Sequence, residues 1–295
     1  MRPDVLPADQ LFGADLSSYG RRLLAEGDSW FTLGTLNLAV NGNLLMSQSL
    51  GTRTVIVSCA YPGDTLQQMA EGARDRDFDR LLRQPGYARY WEAILLSAGG
   101  NDLIAAAEHR PVWQDGTPAA WSHRLMLTPA EAAQQHAGVS GPQRYISEPG
   151  WAALAAYLRA GLADIVQRRD QGASAGRPLV LHTYAAPVVR PAGVLGNGGW
   201  LWPAMTAYGI PVSERQGLSD ELFGRLRQLW LDVATTLPHV HVFDSAALTT
   251  LVPAAPGSTG NSGDWSNEIH LNRSGYDKVG AVMGPWLEQL LAGYP

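Results

Sequence analysis

The chain has 295 residues, of which 45% are hydrophobic and 17% charged. That supplies a sizeable buried core and excludes a disordered polypeptide. A net charge of −5 and the lack of any basic run argue against a nucleic-acid partner, whose phosphates call for clustered Lys and Arg. The single cysteine, Cys59, excludes an intrachain disulfide and reads as a small buried hydrophobe. No stretch approaches about 20 uninterrupted apolar residues, so no transmembrane segment is expected. The segment from Met1 to Leu16 has no signal-peptide core and carries Asp4, Asp9 and Asp15. The expected location is therefore cytoplasmic, with export by a signal-independent route left open.

The first apolar run, Arg22 to Ala25, leads into Gly27-Asp28-Ser29-Trp30, and a helix interrupted by Gly42 is expected near Leu36 to Ser49. The second run, Thr54 to Val57, is followed by Pro62-Gly63-Asp64-Thr65, and the third, Ala93 to Leu96, by Gly99-Gly100-Asn101-Asp102. A long connection from Ile104 to Gly150 carries a short helix over Pro129 to Ala137. Trp151, Leu154, Leu158, Leu162 and Ile165 then mark one face of a helix that runs to about Arg169. A fourth run, Leu179 to Leu181, precedes a second long connection, Pro187 to Val212. Its aromatics, Trp200, Trp202 and Tyr208, are not at helical spacing; they wall a substrate site or cover a sheet edge or partner surface. Leu218, Leu222, Leu226, Leu229 and Val233 mark another helix, and Val240 to Phe243 is the fifth run. A Gly/Ser/Pro-rich connection from Ser245 to Ser266 leads to Asn267-Glu268-Ile269-His270. The last helix, marked by Tyr276, Val279, Met283 and Leu287, takes Asn272 or Ser274 as its cap.

Near-continuous apolar runs suit strands buried on both faces, and their alternation with helices implies a doubly wound α/β fold. The expectation is one domain over 1–295. It holds a mostly parallel five-stranded sheet with helices on both faces, a flavodoxin-like three-layer sandwich, and long insertions at about 104–150, 187–213 and 245–266. Such sheets bind ligands at the carboxyl ends of their strands, where Ser29, Gly63 and Asn101 fall. His270, just before the last helix, can reach the same rim.

The four patterns, in this order and over nearly the whole chain, resemble the blocks of the SGNH hydrolase superfamily, the GDSL-type esterases and lipases. The resemblance implies a serine esterase that needs no metal or organic cofactor and acts on a small-molecule ester. Ser29 would be the nucleophile and His270 the general base. The backbone N–H groups of Ser29 and Gly63 and the amide of Asn101 would form the oxyanion hole. These roles suit the chemistry: a serine hydroxyl needs an imidazole to take its proton, and a developing oxyanion needs preorganised donors. Short acyl esters, acetylated sugars, lipids and thioesters all fit this machinery. Asp28 and Asp102 read as turn-holding acceptors of backbone N–H bonds.

One position departs from the family, whose last block usually reads Asp-x-x-His. Here Asn267 stands three residues before His270. Its amide oxygen can hold the imidazole Nδ1–H but cannot neutralise an imidazolium, and Asp-to-Asn at the equivalent role in a serine protease lowered turnover by about 10⁴. Three alternatives follow: Asn267 orients His270 alone; Asp264 or Glu268 supplies the carboxylate; or hydrolysis is lost. The last would leave a binding protein with this fold, and an acyltransferase would use the same residues. Gly172-Ala173-Ser174-Ala175-Gly176 matches a G-x-S-x-G elbow but follows a helix and precedes a strand, the reverse of what an elbow requires. His239 and His241 could share a strand face around a metal, but no third ligand stands nearby in sequence. His109, His123, His136 and His182 have no partner that the sequence names.

Overall fold

The computed structural model describes residues 1–11, 13–32, 42–71, 76–86, 91–194 and 198–294. Its strands are β1 (Asp4–Pro7), β2 (Arg21–Gly27), β3 (Thr54–Ser58), β4 (Ala93–Ser97), β5 (Leu179–His182) and β6 (Val240–Phe243). They form one sheet in the order β1-β3-β2-β4-β5-β6, and each neighbouring pair runs parallel. The α/β sheet read from the sequence is present, with six strands instead of five. The addition is β1, an edge strand bounded by Asp4 and Pro7. It pairs with β3 alone, and its ends are exposed. An acid, a proline and four residues suit an edge, where one side of the strand goes unpaired. They leave no apolar run in the sequence.

Every residue of β4 and of β5 is buried, as both faces of a helix-covered sheet require. Without β1, the remaining order is the flavodoxin-like one. The chain passes from β2 to β3 on one side, then to β4 on the other. This reversal opens a crevice at the carboxyl ends of β2 and β4, where Gly27 pairs with Ser97.

The helices are α1 (Ser29–Thr32), α2 (Leu44–Ser47), α3 (Leu66–Ala70), α4 (Arg76–Arg83), α5 (Gly100–Glu108), α6 (Pro129–Gln135), α7 (Glu148–Asp170), α8 (Leu201–Ala207), α9 (Val212–Ala234), α10 (Ser245–Leu248) and α11 (Arg273–Leu291). Of the helix expected near Leu36 to Ser49, α2 is present, and 36–41 lie outside the described residues. The short helix in the first long connection is α6, with Thr128 and Glu131 as a reciprocal capping box. Glu131 also meets the buried guanidinium of Arg124. The cap of α11 is Asn272, whose side chain accepts from Gly275 N at 3.0 Å.

The second long connection corrects the sequence reading, because it contains α8. Leu201, Ala204, Met205 and Tyr208 are all buried, which is a helical spacing that the aromatics alone conceal. Trp200 and Trp202 fall outside that stripe. Cys59 is half-buried rather than buried. Among the described residues no helix is long and apolar enough to cross a membrane.

Candidate active site

Ser29 opens α1 directly after β2, and Gly27 makes that turn possible. A Cβ at Gly27 would lie 2.6 Å from the Cβ of Ser97 and 2.8 Å from its carbonyl oxygen. Only glycine lets β2 approach β4 this closely at its end. Asp28 N then donates to Ser97 O at 3.2 Å. The Asp28 carboxylate is buried and accepts from Trp30 N (3.0 Å), Ser97 Oγ (2.7 Å) and Tyr184 OH (2.6 Å). It therefore holds the turn, as the sequence suggested, and burial pushes its pKa up to about 6 against those donors.

Beneath it lies a residue that the sequence left unassigned. His182 is buried; its Nδ1 lies 3.0 Å from Thr183 O and its Nε2 2.8 Å from Ser97 Oγ. A carbonyl only accepts, so Nδ1 carries the hydrogen, and Nε2 shares the single hydroxyl hydrogen of Ser97 with Asp28 Oδ1. Burial takes His182 down to about 4, so the ring is neutral. It stacks on Trp30 with a 5.4 Å centroid separation. Ser29 thus stands on a packed polar network, and His182 serves as part of that support.

His270 lies in the segment before α11. Asn267 Oδ1 accepts from the backbone N–H groups of Ile269 (3.1 Å) and His270 (2.9 Å). Two converging N–H donors require an oxygen there, which fixes the orientation of the amide. The same oxygen lies 3.0 Å from His270 Nδ1, so Nδ1 carries the hydrogen and donates it. Nε2 is left as an acceptor, 2.7 Å from Ser29 Oγ. Ser29 consequently donates to His270, the polarity that base-assisted attack requires. Burial takes His270 down to about 3, and the imidazole is neutral. Trp200 packs T-shaped against its ring at 5.6 Å.

Neither reserve carboxylate meets His270. Asp264 accepts from Val252 N (2.6 Å), Ser274 Oγ (2.9 Å) and Lys278 Nζ (2.5 Å), and it anchors the start of α11. Burial pushes its pKa up, but Lys278 and the two donors outweigh it and the net shift is downward. Glu268 is fully buried and turns away, accepting from the backbone N–H groups of Trp200, Leu201 (2.9 Å) and Trp202 (2.8 Å). These are first-turn donors of α8 that have no partner within the helix. Burial pushes Glu268 up to about 7 against them. Glu268 therefore sets Trp200, and Trp200 in turn packs on His270. Arg190, also buried, grips the same region through Asn267 O (2.8 Å), Ser258 O (3.0 Å) and Gly260 O.

Asn101 lies in the first turn of α5 and lines the cleft with Ser29, Trp30, Tyr184 and Ile269. Its Nδ2 donates to Asp64 O at 3.0 Å, tying the turn after β3 to the site. Gly63 occupies that turn with φ +90°, a conformation that side chains rarely adopt. It is exposed at the rim and is not part of the cleft lining. Asp102 is structural: both its oxygens accept from Leu66 N at 3.1 Å, and one accepts from Tyr157 OH at 2.8 Å. Of the residues expected at the site, the fold joins Ser29, His270 and Asn267 by hydrogen bonds and sets Asn101 beside them.

Ser174 is buried in the turn before β5, at the amino-terminal edge of the sheet and away from this crevice. His239 and His241 meet the hydroxyl of Tyr294 at 3.2 and 2.7 Å. Among the described residues no three His, Cys, Asp or Glu are placed to hold a metal ion.

No protein-family model matches the chain, and no curated protein matches it by sequence. Solved structures similar to it include an extracellular lipase from Streptomyces rimosus, at 14% identity and a TM-score of 0.44, covering 91% of this chain and 99% of that one. A family 3 carbohydrate esterase from Clostridium thermocellum is similar at 11% identity and a TM-score of 0.45, covering 92% and 98%. The lipase Lip_vut3 from a goat rumen metagenome is similar at 12% identity and a TM-score of 0.45, covering 93% and 98%. At such identities and scores the chemistry rests on the site alone.

Replacing Glu268 by Ala would leave three backbone donors without their acceptor. With about 1–3 kcal/mol for each buried donor left unmet, the expected loss is several kcal/mol, visible as a lower Tm. Glu268→Gln keeps an acceptor oxygen and should lose clearly less. Equal and small shifts in both variants would contradict this assignment.

Proposed function

We propose that the chain is a serine hydrolase of ester bonds. The observation that carries this reading is the directed line from Ser29 Oγ to His270 Nε2 at 2.7 Å and from His270 Nδ1 to Asn267 Oδ1 at 3.0 Å. It sits at the topological switch point of a parallel sheet, where ligands bind in folds of this kind.

In this proposal Ser29 Oγ attacks the ester carbonyl carbon while His270 Nε2 takes the hydroxyl proton. The carbonyl oxygen becomes an oxyanion, which the amide of Asn101 and the backbone N–H groups of Ser29 and Gly63 would stabilise. Collapse breaks the bond to the alcohol, which leaves with the proton from Nε2. Water then attacks the acyl-Ser29 ester, gives its proton to Nε2, and releases the acid as Oγ recovers that proton.

Asn267 does part of an aspartate's work. The protease variant with Asn at this role failed because its histidine took the wrong tautomer. Here two backbone N–H groups hold the amide oxygen toward Nδ1, which supports the productive tautomer. The amide does not offset the imidazolium charge that forms during attack, so the base is weaker than a carboxylate-backed one.

A fluorophosphonate probe should label the wild-type protein and fail to label Ser29→Ala, whereas Ser174→Ala should label normally. Wild-type protein that resists the probe would overturn the reading.

The pH dependence follows from burial. A histidine whose pKa lies below its ordinary value of about 6.5 stays a free base as pH falls through that value. With His270 near 3, its protonation should put no acid limb near 6.5 on kcat/KM for a neutral ester; a limb between about pH 8 and about pH 5 would belong to Asp28 or Glu268, which burial pushes up to about 6 and about 7. Asn267→Asp places a carboxylate against Nδ1–H and favours the imidazolium, so it should raise the His270 pKa and move the acid limb to higher pH. An Asn267→Asp profile with no acid limb displaced to higher pH than in the wild type would contradict the account.

A further inference from the structure

Beside the cleft opens a larger cavity of about 820 Å³. Tyr184, Ala185 and Phe223 line both, so the cavity continues from Ser29. Much of its wall is apolar, including Val188, Trp202, Leu251 and Trp265. One group does not suit such a wall. Arg215, in the first turns of α9, also lines the cavity and is 7% exposed. Its Nε donates to Ile210 O at 3.0 Å, and its guanidinium lies 4.5 Å over the ring of Trp202. Among the described residues no carboxylate pairs with it, and its two terminal nitrogens have no partner in the protein.

The rest of the fold shows how unusual this is. Of the other buried guanidiniums, Arg124 meets Glu131, Arg169 meets Asp170, and Arg190 meets the carbonyls of Ser258, Gly260 and Asn267. The second arginine on the cavity wall, Arg227, is bonded through Nε to Asp244 at 2.7 Å. Glu214 pairs with Arg144; Asp220 also lines the cavity, where it accepts from Gln216 Nε2 at 2.9 Å and makes no ion pair with Arg215. A cation that a ligand shuts off from water is costly to leave without a counter-ion, unless that ligand supplies one. The stacking on Trp202 and the bond to Ile210 hold the guanidinium plane in place before any ligand arrives. Its free edge is the planar fork that receives an oxyanion through two parallel hydrogen bonds.

We infer that the substrate of this site is an ester that carries a second, anionic group, a carboxylate or a phosphate, which occupies the cavity and pairs with the terminal nitrogens of Arg215. This rests on the ester-hydrolase reading for the reaction, but not for the binding. It separates the site from one made for purely apolar acyl chains, because a neutral chain would leave the cation buried and unmatched. Arg215 acts here in specificity, with no part in bond making or breaking.

The test compares paired substrates on the same protein preparation. On the acyl side the pair is the para-nitrophenyl monoester of octanedioic acid against para-nitrophenyl octanoate. On the alcohol side it is para-acetoxybenzoate against phenyl acetate. The anionic member of at least one pair should be preferred in kcat/KM, chiefly through KM. Arg215→Met should lower that preference by about 10- to 100-fold, the range for a charge-assisted pair. Arg215→Lys should retain part of it. Because each readout is a ratio, partial misfolding of a variant cancels. Binding is measured separately by calorimetry with hexanoate against hexanamide, which needs no turnover. Hexanoate should bind more tightly, and Arg215→Met should remove the difference. If no ester is cleaved but this difference holds, the hydrolase reading fails and the anion site stands. If neutral and anionic members are equal, or Arg215→Met leaves both the ratio and the hexanoate difference unchanged, the inference is overturned.

Discussion

The site depends on one oxygen atom. Asn267 Oδ1 accepts from Ile269 N, from His270 N and from His270 Nδ1. The first two bonds identify the atom and the third uses it to fix the imidazole. An amide free to flip could offer its NH₂ to Nδ1, reverse the tautomer and leave Nε2 as a donor facing Ser29. The backbone turn from 267 to 270 prevents that. A neutral side chain thereby supplies the orientation that a carboxylate supplies elsewhere, though without its charge.

Burial complements this constraint. His270 is neutral because the surrounding protein disfavours its charged form, and among the described residues no acid contacts the ring to oppose that. Ser29 is held from below by the network of Asp28, Ser97, Tyr184 and His182, and the rings of His182, Tyr184 and Tyr276 pack on Trp30. Glu268 joins the two clefts. By accepting the first N–H groups of α8 it places Trp200 against His270 and Trp202 under Arg215. His270 and the guanidinium of Arg215 are therefore set by the same short helix.

What was legible in the sequence was local. β2 to β6 are apolar runs, and Ser29, Gly63 and Asn101 each follow one, so their shared rim could be read from strand ends alone. The long helices carried enough periodic residues to be read, and the cap of the last one was narrowed to Asn272 or Ser274, of which Asn272 serves. What was not legible depended on distant partners. Asp264 and Glu268 both stayed open as a carboxylate for His270, Asp264 ahead as the reserve to Asn267, because nothing local shows that one faces Lys278 and the other the start of α8. The network role of His182 required Ser97, far away in the chain. β1 carries an acid and a proline where a strand signal would need apolar residues. Helix α8 was concealed because its most conspicuous residues, Trp200 and Trp202, face away from its buried stripe.

The central claim is that Asn267 holds His270 as a neutral, Nδ1-protonated ring whose Nε2 accepts from Ser29. Nitrogen NMR of the His270 side chain, titrated from about pH 8 to about pH 5, measures this directly. The account predicts a protonated Nδ1 and an unprotonated Nε2 throughout that range. A ring protonated on Nε2 instead, or one that becomes imidazolium with a midpoint near 6.5, would contradict it.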